Sequence, residues 1–247
     1  MSQLQGKKIA VIGASRGVGR AIARRALNAG ADVLAIARGR DGLSELQASL
    51  PKVEVFALDA TSEDAPDRLF GVTTPDVVVL SLGAVPPTRP VQYLSWQDFS
   101  VNWSTDVKAS FLFCKAALQR TLPPGARIIL ISSGAAVGGS PISGGYAGAK
   151  RMQLFLAGYC QREADRLALD LVFYGLAPAR IMPETGLGMA AVEGYARYLG
   201  MSAADFAAGI TDRQSPDDVA DAVIDLASGA RREASAFLVN AHGLTAV

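Results

Sequence analysis

The sequence predicts an α/β fold, a doubly wound parallel sheet with helices on both faces. Three observations carry that expectation. Seven short runs of aliphatic and β-branched residues alternate with longer segments of helical period. Most of these runs are apolar throughout rather than at every second residue, as in parallel strands covered on both sides. The first run ends in a glycine-rich turn that passes straight into a helical pattern, the opening of a βαβ unit.

In chain order the expected strands are Lys8–Ile12, Asp32–Ala37, Val53–Ala57, Val77–Leu82, Arg127–Ser132, Asp170–Tyr174 and Phe237–Asn240. Helical stretches between them include Gly17–Ala29, Trp96–Gln119 and Tyr146–Ala164. No linker, repeat or low-complexity stretch interrupts the rhythm, so residues 1–247 read as a single domain. The interval Pro183–Thr211, rich in Gly, Ala and Met, breaks the alternation. Short helices on a connection are expected there, covering a ligand beside the carboxyl ends of the strands or forming a subunit contact.

Half of the residues are hydrophobic and 19% are charged, which excludes a disordered chain. The net charge of +1 offers no electrostatic case for nucleic acid or an anionic membrane as partner. Met1–Lys8 is polar, and no apolar run approaches the roughly 20 residues of a membrane span. A cytoplasmic location is expected. Cys114 and Cys160 have neither metal nor redox spacing and read as small buried hydrophobes. His242 is the only histidine, so neither a metal centre nor a Ser-His-Asp hydrolase is expected.

The turn Gly13-Ala14-Ser15-Arg16-Gly17-Val18-Gly19 lies between the first strand and the first helix. Gly13 allows a sharp exit from the strand. Gly17 and Gly19 remove side chains that would hold a pyrophosphate away from the backbone N–H groups and the helix N-terminus. In this position the turn predicts a Rossmann-type dinucleotide site. The second strand ends Ala35-Ile36-Ala37-Arg38, without the carboxylate that would bind a ribose 2′-hydroxyl. Arg38 and Arg16 can instead grip a 2′-phosphate, which favours NADP(H). Asp41, slightly later, keeps NAD(H) as the alternative.

Tyr146 and Lys150 stand four residues apart at the start of a helix, on one face. A phenol with an ordinary pKa of about 10 is a poor proton carrier at neutral pH, and a nearby ammonium favours its ionised form. Ser133 closes the fifth strand thirteen residues earlier. The Gly- and Ser-rich stretch Gly134–Gly145 can return the chain over the site, so that the Ser133 hydroxyl holds a substrate oxygen that Tyr146 protonates.

Gly13 to Gly19, Asp59, Asn102, Ser133, Tyr146 and Lys150 occur in the order and spacing of the short-chain dehydrogenase/reductase family, and the chain resembles its single-domain branch. The resemblance implies that Tyr146 is the general acid/base and that Ser133 orients the substrate oxygen. Lys150 would bind the nicotinamide ribose and favour the phenolate, and Asn102 would hold a water linking that lysine to solvent. Asp59 would accept from the adenine amino group. The implied cofactor contacts are Gly13, Ser15, Arg16, Gly17, Val18, Gly19, Arg38, Asp59, Ala60, Gly83, Tyr146, Lys150, Pro178 and Ile181. Two stretches depart from the family pattern. Leu80-Ser81-Leu82-Gly83 stands for Asn-Asn-Ala-Gly, and Pro178-Ala179 for Pro-Gly, with Pro183 where a threonine is common and Thr185 out of register.

The expected activity is NADP(H)-dependent interconversion of a carbonyl and an alcohol. Pro86, Pro87, Tyr93 and the Met182–Met201 region suggest an apolar substrate pocket. By family analogy the chain forms a homodimer or homotetramer. The principal rival is a non-catalytic NADP(H)-binding regulator on the same fold. A second is an isomerase, epimerase or dehydratase that retains its nucleotide.

Overall fold

The computed structural model describes residues 3–229, 233–240 and 243–247. His242 lies outside the described residues. The chain starts β1 (Lys8–Ile12), α1 (Gly17–Asn28), β2 (Asp32–Ala37), α2 (Arg40–Ser49), β3 (Glu54–Ala57), α3 (Ala65–Val72) and β4 (Val77–Leu80). It continues through α4 (Trp96–Asn102), a π-helical turn at Trp103–Val107, α5 (Lys108–Leu118), β5 (Ala126–Ile131), α6 (Ala135–Gly138), α7 (Gly145–Arg166) and β6 (Leu171–Pro178). It ends with α8 (Gly186–Leu199), α9 (Ala203–Ala208), α10 (Pro216–Ser228), β7 (Ala236–Asn240) and β8 (Gly243–Ala246).

The described strands form one sheet in the order β3-β2-β1-β4-β5-β6-β7-β8, parallel except for the last pair. Continuous apolar runs follow from burial on both faces. In β4, Val77 and Val79 join a core with Ile22 of α1, Leu46 of α2 and Val223 of α10. Val78 and Leu80 join a second core with Leu69 of α3, Phe113 of α5 and Leu156 of α7. Cys114 and Cys160 are free thiols buried in that second core. The sheet order reverses between β1 and β4, so the loops after these strands diverge and leave a crevice at their carboxyl ends.

Three elements differ from expectation. β6 runs four residues beyond Tyr174, because Gly175 is a point of close helix approach rather than a turn. A Cβ there would lie 2.9 Å from Leu154 Cδ2 of α7. The helix expected over Trp96–Gln119 is broken by the π-helical turn, in which the Lys108 N–H reaches the Trp103 carbonyl. β8, not expected at all, pairs antiparallel with β7 and closes that edge.

Candidate active site

The crevice is a pocket of about 830 Å³ that runs from the glycine turn to Tyr146. At its base, β1 leaves the sheet at Gly13, whose φ is +90°. A side chain at Gly13 would collide with the Ser81 carbonyl, and one at Gly19 with the Gly13 carbonyl. The turn is tied to β2 by the Gly13 and Ala14 N–H groups, which donate to the Ile36 carbonyl at 2.7 and 3.1 Å. α1 begins at Gly17 without a side-chain cap and without an acid in its first turn. Its leading N–H groups and positive dipole end therefore face the pocket free for an anion. This cradle fits a pyrophosphate.

Near the glycine turn and the end of β2, Arg16 and Arg38 line the pocket and are exposed, and their guanidinium groups form no hydrogen bond or ion pair with other described residues. Asp59 Oδ1 accepts from the Thr61 N–H at 3.0 Å and from its hydroxyl at 2.8 Å. The Thr61 amide, followed by its hydroxyl and the charges of Arg38 and Lys108, holds the Asp59 carboxyl below its ordinary range despite burial. Asp41 lies in the first turn of α2 but off the pocket wall, whereas Glu45, one turn later, is on it. Ser15, Gly17, Val18, Ala60, Gly83, Pro178 and Ile181 also line the pocket.

The pocket wall that carries Ser133, Tyr146 and Lys150 is built where β5 stops. Ser132 is buried and its hydroxyl donates to the Lys150 carbonyl at 2.7 Å, which fastens β5 to α7. Ser133, next along, lines the pocket, with its oxygen accepting from the Ala135 N–H at 3.2 Å. Tyr146 is half-buried on the same wall, and the Lys150 ammonium lies 5.7 Å from its ring centroid. Lys150 Nζ donates to the Ile131 carbonyl at 3.1 Å and to Gln153 Oε1 at 3.0 Å, and it pairs with Asp106 Oδ1 at 3.0 Å.

Asn102 is buried behind the wall rather than on it, while Asp106, four residues later, is on it. The Asn102 amide donates to the Ala84 carbonyl at 2.8 Å and reaches Asp106 Oδ2 at 3.3 Å. Its Oδ1 has no hydrogen-bond partner among the described residues. Asn102 thus meets Lys150 through Asp106. The sequence reading did not single out Asp106, Ser110 or Gln153. The signal was spacing. Asn102, Asp106 and Ser110 recur every four residues on one helical face, and Tyr146, Lys150 and Gln153 form a facing stripe on α7. The stripes meet where the Gln153 amide donates to Ser110 Oγ at 2.9 Å.

Residues 13–164 match the family model described as Enoyl-(Acyl carrier protein) reductase. The chain belongs to the short-chain dehydrogenase/reductase family. Among curated members, it is 28% identical over 159 residues to a 3beta-hydroxysteroid dehydrogenase of Mediterraneibacter gnavus, covering 61% of this chain and 58% of that protein. It is 25% identical over 130 residues to L-xylulose reductase of Bos taurus, covering 53% of each. It is also 29% identical to a 3-oxoacyl-[acyl-carrier-protein] reductase of Rickettsia prowazekii, over 61% of this chain and 63% of that one. These matches span between half and two thirds of the relatives' own lengths. A short chain dehydrogenase structure from Salmonella enterica serovar Typhi superposes with a TM-score of 0.77 at 20% identity, over 96% of this chain and 97% of that one. That likeness shows the shared fold.

Within this short-chain dehydrogenase/reductase chain, α8 forms the far wall through Leu187, Ala190, Ala191 and Tyr195. Thr185 caps α8 by accepting from the Gly188 N–H at 3.0 Å, and a Cβ at Gly17 would lie 3.7 Å from its side chain. The threonine that is out of register in the sequence therefore stands beside the glycine turn. Pro86 lines the pocket, whereas Pro87 and Tyr93 do not, and Tyr93 is exposed. Among the described residues no group of His, Cys, Asp and Glu is placed to hold a metal. Among the described residues no helix is long and apolar enough to cross a membrane.

Proposed function

We propose that the chain is an NADP(H)-dependent oxidoreductase that interconverts a carbonyl and an alcohol, with Tyr146 as general acid/base. The observation that carries this reading is that one pocket joins a phosphate cradle, two unpaired arginines and the Ser133–Tyr146 pair above Lys150. When bound, the nicotinamide supplies or accepts the hydride. The glycine turn and the α1 N-terminus would hold the pyrophosphate, and Arg16 and Arg38 the 2′-phosphate. Pro178 and Ile181 would flank the nicotinamide. Ser133 would hold the substrate oxygen by a hydrogen bond while the Tyr146 hydroxyl donates its proton to it in reduction and takes it back in oxidation.

The substrate end is walled by Val85, Pro86, Ile142, Met182, Leu187 and Ala191. Its Arg180 is already paired with Asp212 at 2.7 Å. This lining suits an uncharged, mostly apolar ketone or alcohol. Helices α8 and α9, within 183–211, would cover it. A cytoplasmic enzyme of one domain is proposed, assembled as a homodimer or homotetramer through the exposed Phe111, Phe155 and Tyr159 of α5 and α7.

A panel of uncharged ketones with NADPH, followed by loss of the reduced-nicotinamide absorbance, tests the activity. Tyr146→Phe is expected to fold, bind NADPH and lose about 10²-fold or more in kcat. Undiminished turnover in that variant would contradict the assignment. The competing reading, an NADP(H)-binding protein without turnover, draws on Lys150 being held within the protein by two hydrogen-bond acceptors and an ion pair. NADPH binding with no turnover across the panel would favour it.

A further inference from the structure

The polar cluster behind Tyr146 is organised by a carboxylate that the sequence alone did not single out. Asp106 stands in the π-helical turn between α4 and α5, an irregularity that commonly marks a functional position. Its side chain is 0% exposed and that of Lys150 5%, and their charged atoms are 3.0 Å apart. Asp106 Oδ2 accepts from the Ala84 N–H at 3.0 Å and lies 2.7 Å from the Thr105 hydroxyl. The loop after β4 is shaped around the same carboxylate, since a Cβ at Gly83 would lie 2.7 Å from Asp106 Oδ1.

A buried ammonium without a counter-ion tends to lose its proton. Burial alone would push Lys150 down, but the Asp106 charge and then Tyr146 outweigh it and raise it. Among the described residues, the ionisable group beside the Asp106–Lys150 pair is Tyr146, from α7. Asn102 and Thr105 face Asp106 from its own helix, Ala84 faces it from the loop after β4, and the Ser110 hydroxyl donates to its carbonyl.

We infer that Asp106 is a positioning residue whose carboxylate locks the Lys150 ammonium beneath the Tyr146 ring and offsets part of the positive charge that Tyr146 feels. The inference rests on Tyr146 being the proton-transfer group. Its consequence is counter-intuitive: removing the Asp106 charge makes the phenolate easier to form, while making Lys150 harder to hold in place.

The test needs neither substrate nor cofactor. Protein labelled with ¹³C at the tyrosine ring is titrated with pH by NMR, and the Tyr146 signal is identified by its loss in Tyr146→Phe. In Asp106→Asn the Tyr146 midpoint is expected to fall by about one pH unit, and in Asp106→Glu to return toward the wild-type value. A purely structural role would leave the midpoint of folded Asp106→Asn in place, and an unchanged or raised midpoint overturns the inference. If Asp106→Asn does not fold, the wild-type Lys150 ¹⁵N signal decides. An ammonium shift persisting up to the Tyr146 midpoint supports the lock, and a neutral amine below it overturns it. Retained turnover in Tyr146→Phe would instead strike the proposed function, so the two failures are distinguishable.

Discussion

Gly19 packs so closely on the Gly13 carbonyl that a methyl group there would occupy the same space. Gly19→Ala is expected to open the turn and weaken NADPH binding about tenfold or more, in line with the 1–3 kcal/mol typical of overpacking. Isothermal calorimetry checks this, and wild-type affinity would mean the cradle does not bind the pyrophosphate. At this scale the sequence was most informative where backbone geometry dictates residue type. Gly13, Gly17 and Gly19 announce the turn because two take positive φ and the third admits no side chain. Asp106 was not legible in that way. A lone aspartate in a helical pattern reads as solvated surface until the helix facing it is known, and only the fold brings Lys150 to within 3.0 Å.

Elements identified by their apolar runs fall within a few residues of expectation, because a strand buried on both faces leaves an uninterrupted signal. β6 was read short because Gly175 imitates a turn, and β8 was missed because its Gly-Leu-Thr-Ala is too short and too exposed to carry a pattern. The start of β4 is pinned by Asp76, which accepts from the Lys8 N–H at 2.9 Å and from Lys7 Nζ at 2.9 Å. Burial raises the Asp76 carboxyl, but the Lys8 amide and the Lys7 ammonium outweigh it, and the folded value lies below the ordinary 3.8. A depressed carboxylate contributes stability that is present above its unfolded value and lost as pH falls through the folded one. Asp76→Asn is therefore expected to lose about 1–2 kcal/mol at neutral pH, with the gap to wild type closing below about pH 3.8. Urea unfolding at several pH values checks it, and a gap independent of pH would mean the carboxylate charge is not what pins the strand.

Across the whole molecule, two cores clamp one sheet. Ile129 is fully buried in the core beneath α1 and α10, in the strand that leads to Ser133. Ile129→Ala is expected to cost about 2–5 kcal/mol of stability. If thermal unfolding moved negligibly, β5 would not be the rigid support that the site requires. The same architecture places phosphate cradle, arginines and tyrosine in one crevice because the loops after β1 and β4 diverge there. The central claim, an NADP(H) site served by Arg16 and Arg38, is tested most directly by fluorescence titration of the purified protein with NADPH and, separately, NADH. NADPH is expected to bind at least about tenfold more tightly, with most of that preference lost in Arg38→Ala. Equal or tighter binding of NADH would contradict the claim and turn attention to the carboxylates of Asp41 and Glu45.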